Sequence, residues 1–422
     1  MPRRPLPAAT VYLVMEATSG VAFTMMATIA AVYRIRNAGL DPLQLVLLGT
    51  ALEATVLLFE VPTGVVADTV SRRRSVIVGM LLVGAGFVLE GAIPSFGTIL
   101  LAQVVWGLGW TFTSGADVAW LADEVGEARA ARLYLRGAQA SQLGSFAGIV
   151  VSVVLATVGL WLPIVAAGLV YLGVAGFLLV AMPEDWFPRH PRASARARLP
   201  RLLGSTARGG VAAVRARPVL LLIFAVAAFH GASTEGFDRL WVLELLDDIG
   251  LPGLAGLDPV LWFGVVNAVG LLLAAVATEV VRRTVDVASH RGAAGVLAVV
   301  NLLLVLGVAG FGLAGSFWAA LALLWVVGLL RALNDPLTAA WVNQGLDPAS
   351  RATVNSLAGQ ADALGQVVGG PLLGWVALAR SVRAAIVVSG LLRLPALLLF
   401  ARTLRPDASR PDPGAAPARP ER

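Results

Sequence analysis

The chain consists largely of apolar runs of about 20 residues, the length that a helix needs to cross a bilayer. Lipid offers the backbone no hydrogen-bond partners, so each run is predicted to be helical. Hydrophobic residues make up 58% of the chain and charged residues 14%, which exceeds the apolar content that one soluble core can bury. The sequence therefore predicts an all-α membrane protein and excludes a soluble enzyme. Twelve transmembrane helices are predicted, at residues 10–33, 42–69, 75–91, 96–121, 135–159, 162–182, 219–241, 260–281, 293–313, 317–342, 355–378 and 384–401.

The arginines predict how these spans are oriented. All 32 basic residues are arginine, and most lie in the connections, where arginine marks the cytoplasmic side. A cytoplasmic amino terminus leaves only Arg34, Arg36, Arg239, Arg380 and Arg383 outside. Both termini of this multi-pass chain are therefore predicted to be cytoplasmic, in the cytoplasmic (inner) cell membrane, and a nucleic-acid partner is not expected. The arginines assigned to the inside are Arg72, Arg73, Arg74, Arg129, Arg132, Arg136, Arg282, Arg283, Arg291 and Arg351.

A long connection at 183–218 carries eight arginines and divides the spans six and six. It predicts an N-terminal six-helix bundle at 1–182, a cytoplasmic linker at 183–218 and a C-terminal six-helix bundle at 219–402. Residues 403–422, rich in Pro, Ala and Arg, are expected to form a disordered cytoplasmic tail. The linker arginines are expected to contact anionic lipid head groups.

The two halves share residues at one constant offset, which predicts a parallel internal repeat of the kind found in transporters. In such proteins the substrate site lies between two halves that rock against each other. The matching pairs are Gly107 with Gly328, Ala119 with Ala340, Trp120 with Trp341, Gln139 with Gln360, Leu143 with Leu364, Gly144 with Gly365 and Gly148 with Gly369.

The sharpest local motif lies between the second and third spans, where Gly64 is followed by Asp68 and by the basic pair Arg72 and Arg73. Gly64 is expected to allow close helix approach, and Asp68 to accept bonds from a neighbouring helix N-terminus. We expect Arg72 to pair with Asp123 at the end of the fourth span. Together these residues form a candidate conformational-switch motif.

This motif resembles the signature loop of the major facilitator superfamily, although Ser71 stands where that family usually has Gly. Within the family, the segment from Trp106 through Asp117 to Glu124 resembles tetracycline-efflux-like drug:proton antiporters. The family's arginine in the fourth span is replaced by Gln103, so a proton-coupling role is not carried over to that position. The Gly-Pro pattern at 365–374, which exporters usually carry in the fifth span, lies here in the eleventh. The resemblance implies proton-coupled efflux of small, drug-like molecules by a monomer.

Ionisable side chains inside lipid are costly and are expected to face a cavity or each other. Glu53 lies deepest and is the first candidate for proton coupling, followed by Glu16, Glu60 and Asp117. Arg331 and Asp335 are four residues apart, so they either neutralise each other or contact substrate. The seventh span, with His230, Glu235 and Asp238, is predicted to be a broken helix. The remaining candidates for the substrate cavity are Phe23, Met26, Trp110, Phe112, Trp262, Asn267, Trp325, Asn334 and Asp362.

The sequence contains no nucleotide-binding loop, metal-binding His pair or nucleophile elbow, and no cysteine. No cofactor or metal is therefore expected, and transport would draw on an ion gradient, most simply protons. The leading hypothesis is an exporter of small amphipathic molecules. The alternatives are a metabolite importer on the same fold, or a membrane scaffold or sensor that does not transport.

Overall fold

A computed structural model describes residues 6–187, 219–253, 261–284, 290–343 and 348–398. Most of the linker at 188–218 and all of the tail at 403–422 lie outside these ranges. The helices are α1 (Ala8–Arg36), α2 (Pro42–Thr69), α3 (Arg72–Ala92), α4 (Phe96–Thr113), α5 (Ala116–Val125), α6 (Glu127–Ala156), α7 (Leu162–Ala181), α8 (Val219–Leu243), α9 (Leu261–Thr284), α10 (His290–Gly312), α11 (Phe317–Asn343), α12 (Pro348–Ala379) and α13 (Val382–Leu391).

Each predicted span corresponds to helix, which confirms the predicted fold class. Within the described ranges, ten helical stretches are long and apolar enough to cross a membrane, with α4 and α5 forming one of them. In α9 the apolar part, Leu261–Ala277, is shorter. Helix α13 ends at Leu391, and the chain turns before it becomes helical again at 394–398.

Short polar side chains start several helices by capping free backbone N–H groups. Asp41 and Gln44 form a reciprocal capping box at α2, in which the Asp41 carboxylate accepts from the Gln44 N–H at 2.8 Å. Ser95 and Ser381 cap α4 and α13. These caps determine the residues at which α2, α4 and α13 begin.

The helix contacts of the first half recur in the second. Helix α1 packs on α6 as α8 packs on α12, and α3 packs on α4 as α10 packs on α11. A Cβ added to Gly20 would overlap the backbone of Ser141, and one added to Gly231 would overlap the backbone of Asp362 in the equivalent place. Small residues let these backbones approach closely. This repetition is the geometry that the constant sequence offset predicts.

The halves meet chiefly through α2 against α12 and, less extensively, α6 against α9. Gly370 and Gly374 pack on the first turns of α2, and Gly264 packs on Val153 near the end of α6. These contacts lie toward the predicted outer side. On the other side a Cβ at Gly64 would meet nothing within 4 Å, so the close approach expected at Gly64 is absent in this conformation. The close contacts that these glycines make between the halves therefore lie on the predicted outer side.

The break expected in the seventh span is wrong, because α8 is continuous from Val219 to Leu243 and is followed by a π-helical turn, Glu244–Ile249. Its glycines serve close packing on α12 and α13 rather than unwinding, as Gly236 against Leu373 and Ser389 shows. The fourth span breaks instead, between α4 and α5, where Gly115 has a φ of 74°. Glycine adopts that left-handed conformation without the steric cost of a side chain.

The predicted orientation can be checked by cysteine labelling, since the chain has no cysteine of its own. With the termini inside, Val158→Cys between α6 and α7 should react with a membrane-impermeant maleimide on intact cells. Trp186→Cys after α7 should react only after permeabilisation. Both side chains are exposed, so access depends on the side of the membrane. The reverse pattern would place the termini outside.

Close packing of α1 on α6 predicts that Gly144→Val destabilises the fold, because its side chain would overlap the Ala17 carbonyl. Overpacking of this kind costs about 1–3 kcal/mol. Gly173→Val in α7 is the matched control, since a Cβ there meets nothing within 4 Å. Thermal unfolding of the detergent-solubilised variants measures the difference. Equal melting temperatures would show that the α1–α6 contact is not limiting.

Candidate translocation pathway

A central cavity of about 400 Å³ lies between the two halves. It is bounded by α1 and α6 on one side and by α8, α9 and α11 on the other, which agrees with the predicted position of a substrate cavity. Of the predicted lining residues it contains Asn267, Trp325 and Arg331. Trp325 donates its indole N–H to the Val266 carbonyl at 3.2 Å, which holds the ring at the cavity wall.

The Arg331 side chain extends from α11 to α8 along the wall of this cavity. Its guanidinium bonds the Asp238 carboxylate and lies 5.0 Å from the centroid of the Phe237 ring. A cation over an aromatic face gains electrostatic attraction beyond the ion pair. Mutual neutralisation with Asp335 is therefore wrong: the long Arg331 side chain reaches across to α8 instead of along its own helix. Arg331 and Asp238 place a paired charge between the halves.

A second cavity, of about 420 Å³, lies inside the N-terminal half and is called the N-cavity. It shares Thr24 and Ser145 with the central cavity, so the two adjoin. Glu16 and Asp117 line it together with aromatic and thioether side chains. Asp117 lies in the first turn of α5, where the helix dipole favours negative charge, and its carboxylate accepts the Val118 N–H at 2.8 Å. The other aromatic and Met residues of the lining are Phe23, Trp110, Tyr171, Met15 and Met80.

A third cavity, of about 250 Å³, lies inside the C-terminal half and is called the C-cavity. Of the predicted residues it contains His230, Asn334, Asp335 and Asp362. His230 Nδ1 lies 2.9 Å from one Asp362 oxygen, and the Gln366 amide donates to the other at 2.9 Å. This carboxylate therefore has both oxygens engaged.

Several predicted cavity residues lie outside these three cavities. Met26 is 4% exposed and packs in the core, on a different face of α1 from Phe23. Phe112 is half-buried, and its carbonyl accepts from Ser75 at 2.8 Å. Trp262 packs on the rings of Phe317 and Trp318 at the predicted outer end. Helical rotation, which the apolar runs do not encode, decides these placements.

Glu60 is exposed on α2, and Glu235 is buried, at 2% exposure, in the junction between the halves. Glu235 accepts from Arg239 Nε at 3.0 Å, and this pair lies directly against Gly49 of α2. Glu53, one turn after Gly49, is half-buried and within electrostatic range of both. The first proton-coupling candidate thus faces a buried ion pair of the opposite half.

The motif between α2 and α3 forms an ion-paired corner. Arg72 bonds the Asp123 carboxylate and donates to the Ala119 carbonyl at 3.0 Å. Asp68 is not at a helix N-terminus: its side chain is 65% exposed and 3.4 Å from Arg72. Arg73 donates to the Leu179 carbonyl at 2.6 Å. Arg72 and Arg73 therefore attach the start of α3 to α5 and α7.

Ser71 replaces the glycine of the family motif without backbone strain. Its φ of 179° is extended, and its hydroxyl accepts the Arg74 N–H at 3.0 Å as the cap of α3. The same hydroxyl donates to the carboxylate of Glu184, which also accepts the Arg73 N–H at 2.9 Å. Glu184 belongs to the start of the linker, so its carboxylate joins the linker to the connection between α2 and α3.

Sequence reasoning missed a buried ion pair at the outer end of the N-terminal half. Arg34 donates to Glu90 at 2.8 Å, and both side chains are buried. Gln103, where the family has arginine, donates to the second Glu90 oxygen at 2.8 Å and accepts the Trp106 N–H at 3.0 Å. The cation of this network comes from α1 instead of α4. An acid inside the third apolar run was the signal available in the sequence.

These features define the class of fold: it is the major facilitator fold, an all-α membrane architecture of two repeated bundles. The crystal structure of the nucleoside transporter NupG matches with a TM-score of 0.72 and 13% identity over 95% of this chain and 100% of that one. A peptide transporter POT in complex with sulfate gives 0.71 and 17% over 95% and 96%. A bacterial homologue of the human lysosomal transporter Spinster, inward-facing and occupied, gives 0.68 and 14% over 93% and 95%.

Among curated proteins, the chain is 26% identical over 163 residues to the uncharacterized MFS-type transporter YxaM of Bacillus subtilis strain 168. The match covers 39% of this chain and 41% of that protein, so it spans about two fifths of the relative's length. No family model matches the chain. The proteins named in these comparisons are transporters, none an enzyme.

The Arg34–Glu90 pair predicts a non-additive pair of substitutions. Arg34→Met or Glu90→Leu alone should each destabilise the fold by about 3–5 kcal/mol, because a buried charge loses its partner. The double substitution should cost clearly less than the sum of the two, since no charge remains unpaired. Unfolding in detergent measures all three variants. Strict additivity would mean that the two side chains do not interact.

Proposed function

We propose that this chain is a secondary active transporter that exports small amphipathic, drug-like molecules in exchange for protons by alternating access. The observation that carries the proposal is the central cavity between two repeated bundles, which are in contact chiefly through α2 and α12. A site in that position becomes accessible from either side when the bundles rock. Because Gly64 has open space beside it on the predicted inner side, we assign this conformation to the state open to the cytoplasm.

The chemistry of the cavities favours a substrate with an aromatic, positively charged body. The N-cavity combines the carboxylates of Glu16 and Asp117 with the rings of Phe23 and Trp110. Carboxylates in a low-dielectric site attract cations, and aromatic faces add to that attraction. Where this cavity adjoins the central one, the substrate meets Thr24 and Ser145, small residues that leave room for passage.

Glu53 is the proposed coupling group. Glu53 lies one turn after Gly49, and its carboxylate interacts electrostatically with the Glu235–Arg239 pair of the other half, which packs against Gly49. Separating the halves at this junction changes the solvation of Glu53, and protonation removes the cost of burying its charge. A proton bound in one state and released in the other couples the gradient to the conformational change.

The test is transport of ethidium, a planar aromatic cation, by the full chain in proteoliposomes with an imposed pH gradient. Wild-type protein should move ethidium against the proton flux, and Glu53→Gln should lose the part driven by the gradient. Glu60→Gln is the matched control, because Glu60 is exposed on the same helix and outside the three cavities. Asp117→Asn should weaken ethidium binding about tenfold, from the loss of one charged contact.

Two outcomes would overturn the proposal. Ethidium flux that is identical with empty liposomes, at every gradient, would exclude export of this class. Gradient-driven movement of a metabolite in the same direction as protons would favour the importer alternative. Equal losses in Glu53→Gln and Glu60→Gln would remove Glu53 as the coupling group.

A further inference from the structure

The C-cavity contains a buried cation that the proposed transport cycle does not use. Arg393 is 1% exposed and lines the cavity at the turn that follows α13. Its Nε donates to the Ser233 hydroxyl at 3.2 Å, and Nη1 donates to the Asn301 amide oxygen at 3.1 Å. Both partners are neutral, so within the described ranges the guanidinium has hydrogen bonds but no ion pair.

The remaining guanidinium nitrogen is free. Nη2 of Arg393 is buried and has no hydrogen-bond partner among the described residues. A buried charge that makes no direct ion pair and has an unused donor is costly, and such a donor is retained where a ligand completes it. An arginine donor of this kind suits a carboxylate.

The two carboxylates of the cavity differ in how many hydrogen bonds their oxygens accept. Asp362 is engaged on both oxygens by His230 and Gln366. Among the described residues, the one hydrogen-bond contact to Asp335 is a long one, 3.4 Å, from the neighbouring Asn334 amide. The C-cavity therefore presents one free cationic donor, on Arg393, and one carboxylate with spare acceptor capacity, on Asp335.

Beside its charged residues the wall carries both neutral polar side chains, such as Asn301, Thr338 and Asn355, and apolar ones, and the cavity lies toward the predicted inner side. It is lined by the first part of α8, the last part of α11 and the first part of α12, whose ends lie on the side of the Arg72 corner. A volume of about 250 Å³ limits the ligand to a small molecule. Its apolar lining includes Ile223, Val226, Trp341, Val342, Ala358 and Ala396.

We propose that the C-cavity binds a small zwitterion of the amino-acid class with an apolar side chain, entering from the inner side. The ligand carboxylate bonds Arg393 Nη2, its ammonium group bonds Asp335, and its side chain lies on the apolar wall. A cation and a carboxylate in the lining of one cavity select against molecules that carry only one of the two complementary charges. This site goes beyond the proposed export of amphipathic cations, since binding here requires neither ethidium transport nor a proton gradient.

The test is calorimetric binding to the full chain in lipid nanodiscs, with L-phenylalanine, L-leucine and L-methionine as probes. At least one should bind wild-type protein in the micromolar to low millimolar range. 3-Phenylpropionate lacks the ammonium group of phenylalanine and phenethylamine lacks the carboxylate, so each should bind about tenfold or more weakly than phenylalanine. Asp335→Asn should remove the preference for phenylalanine over 3-phenylpropionate.

Arg393→Gln should abolish the binding of L-phenylalanine and of 3-phenylpropionate, which both carry a carboxylate. Arg380→Gln should leave the binding of both unchanged. Arg380→Gln is the matched control. Arg380 lies in the exposed turn between α12 and α13, and its substitution removes the same charge as Arg393→Gln. If Arg393→Gln fails to fold, the analogue series and Asp335→Asn decide the question. The inference is overturned if no probe binds, if 3-phenylpropionate or phenethylamine binds as well as phenylalanine, or if Asp335→Asn leaves the preference intact. Failure of ethidium transport leaves these outcomes unchanged.

Discussion

The structure depends on the fact that a bilayer interior offers polar groups no partner except the protein itself. The spans are almost entirely helical for that reason, and several ionised side chains among the described residues pair across elements. Arg34 with Glu90, Arg72 with Asp123, Arg331 with Asp238 and Arg383 with Glu244 each connect elements distant in sequence. Such pairs contribute register and specificity more than stability. They fix which helices are neighbours, and packing then sets how close they come.

Small residues set the distance between neighbouring helices, and they do so in the same way in each half. Gly144 and Gly148 bring α6 onto α1, and Gly365 and Gly369 bring α12 onto α8 in the same arrangement. Each half is therefore rigid within itself. Between the halves, the close glycine contacts among the described residues lie toward the predicted outer side, where Gly49 and Gly370 receive the side chains of the opposite half. Tight packing within each half and sparse packing between them is what allows two bodies to move as units.

The spans, their repeat and the major facilitator architecture could be predicted from the sequence, because run length, arginine placement and residue spacing are one-dimensional properties. Rotation of the helices could not. Phe23 lines the N-cavity while Met26, three residues later, is in the core, and no polar stripe distinguishes the two faces of α1. Long side chains also escape spacing rules, as Arg331 shows by reaching Asp238 and not Asp335. Gly231 and Gly236 suggested a broken helix but serve packing, since glycine is permissive for either role.

The contacts made by the first residues of the linker change where the N-terminal body ends. The Pro183 carbonyl accepts the Trp120 indole N–H at 2.7 Å, Glu184 holds Ser71, and the Asp185 N–H donates to Glu124 at 2.8 Å. The sequence division at 182 therefore falls inside a folded unit. The tether between the two bodies begins only after this anchor, so it starts later than the linker predicted at 183–218. A fusion partner or cleavage site placed beyond 187 would leave the α2–α3 corner intact, whereas one placed at 183 would cut its support.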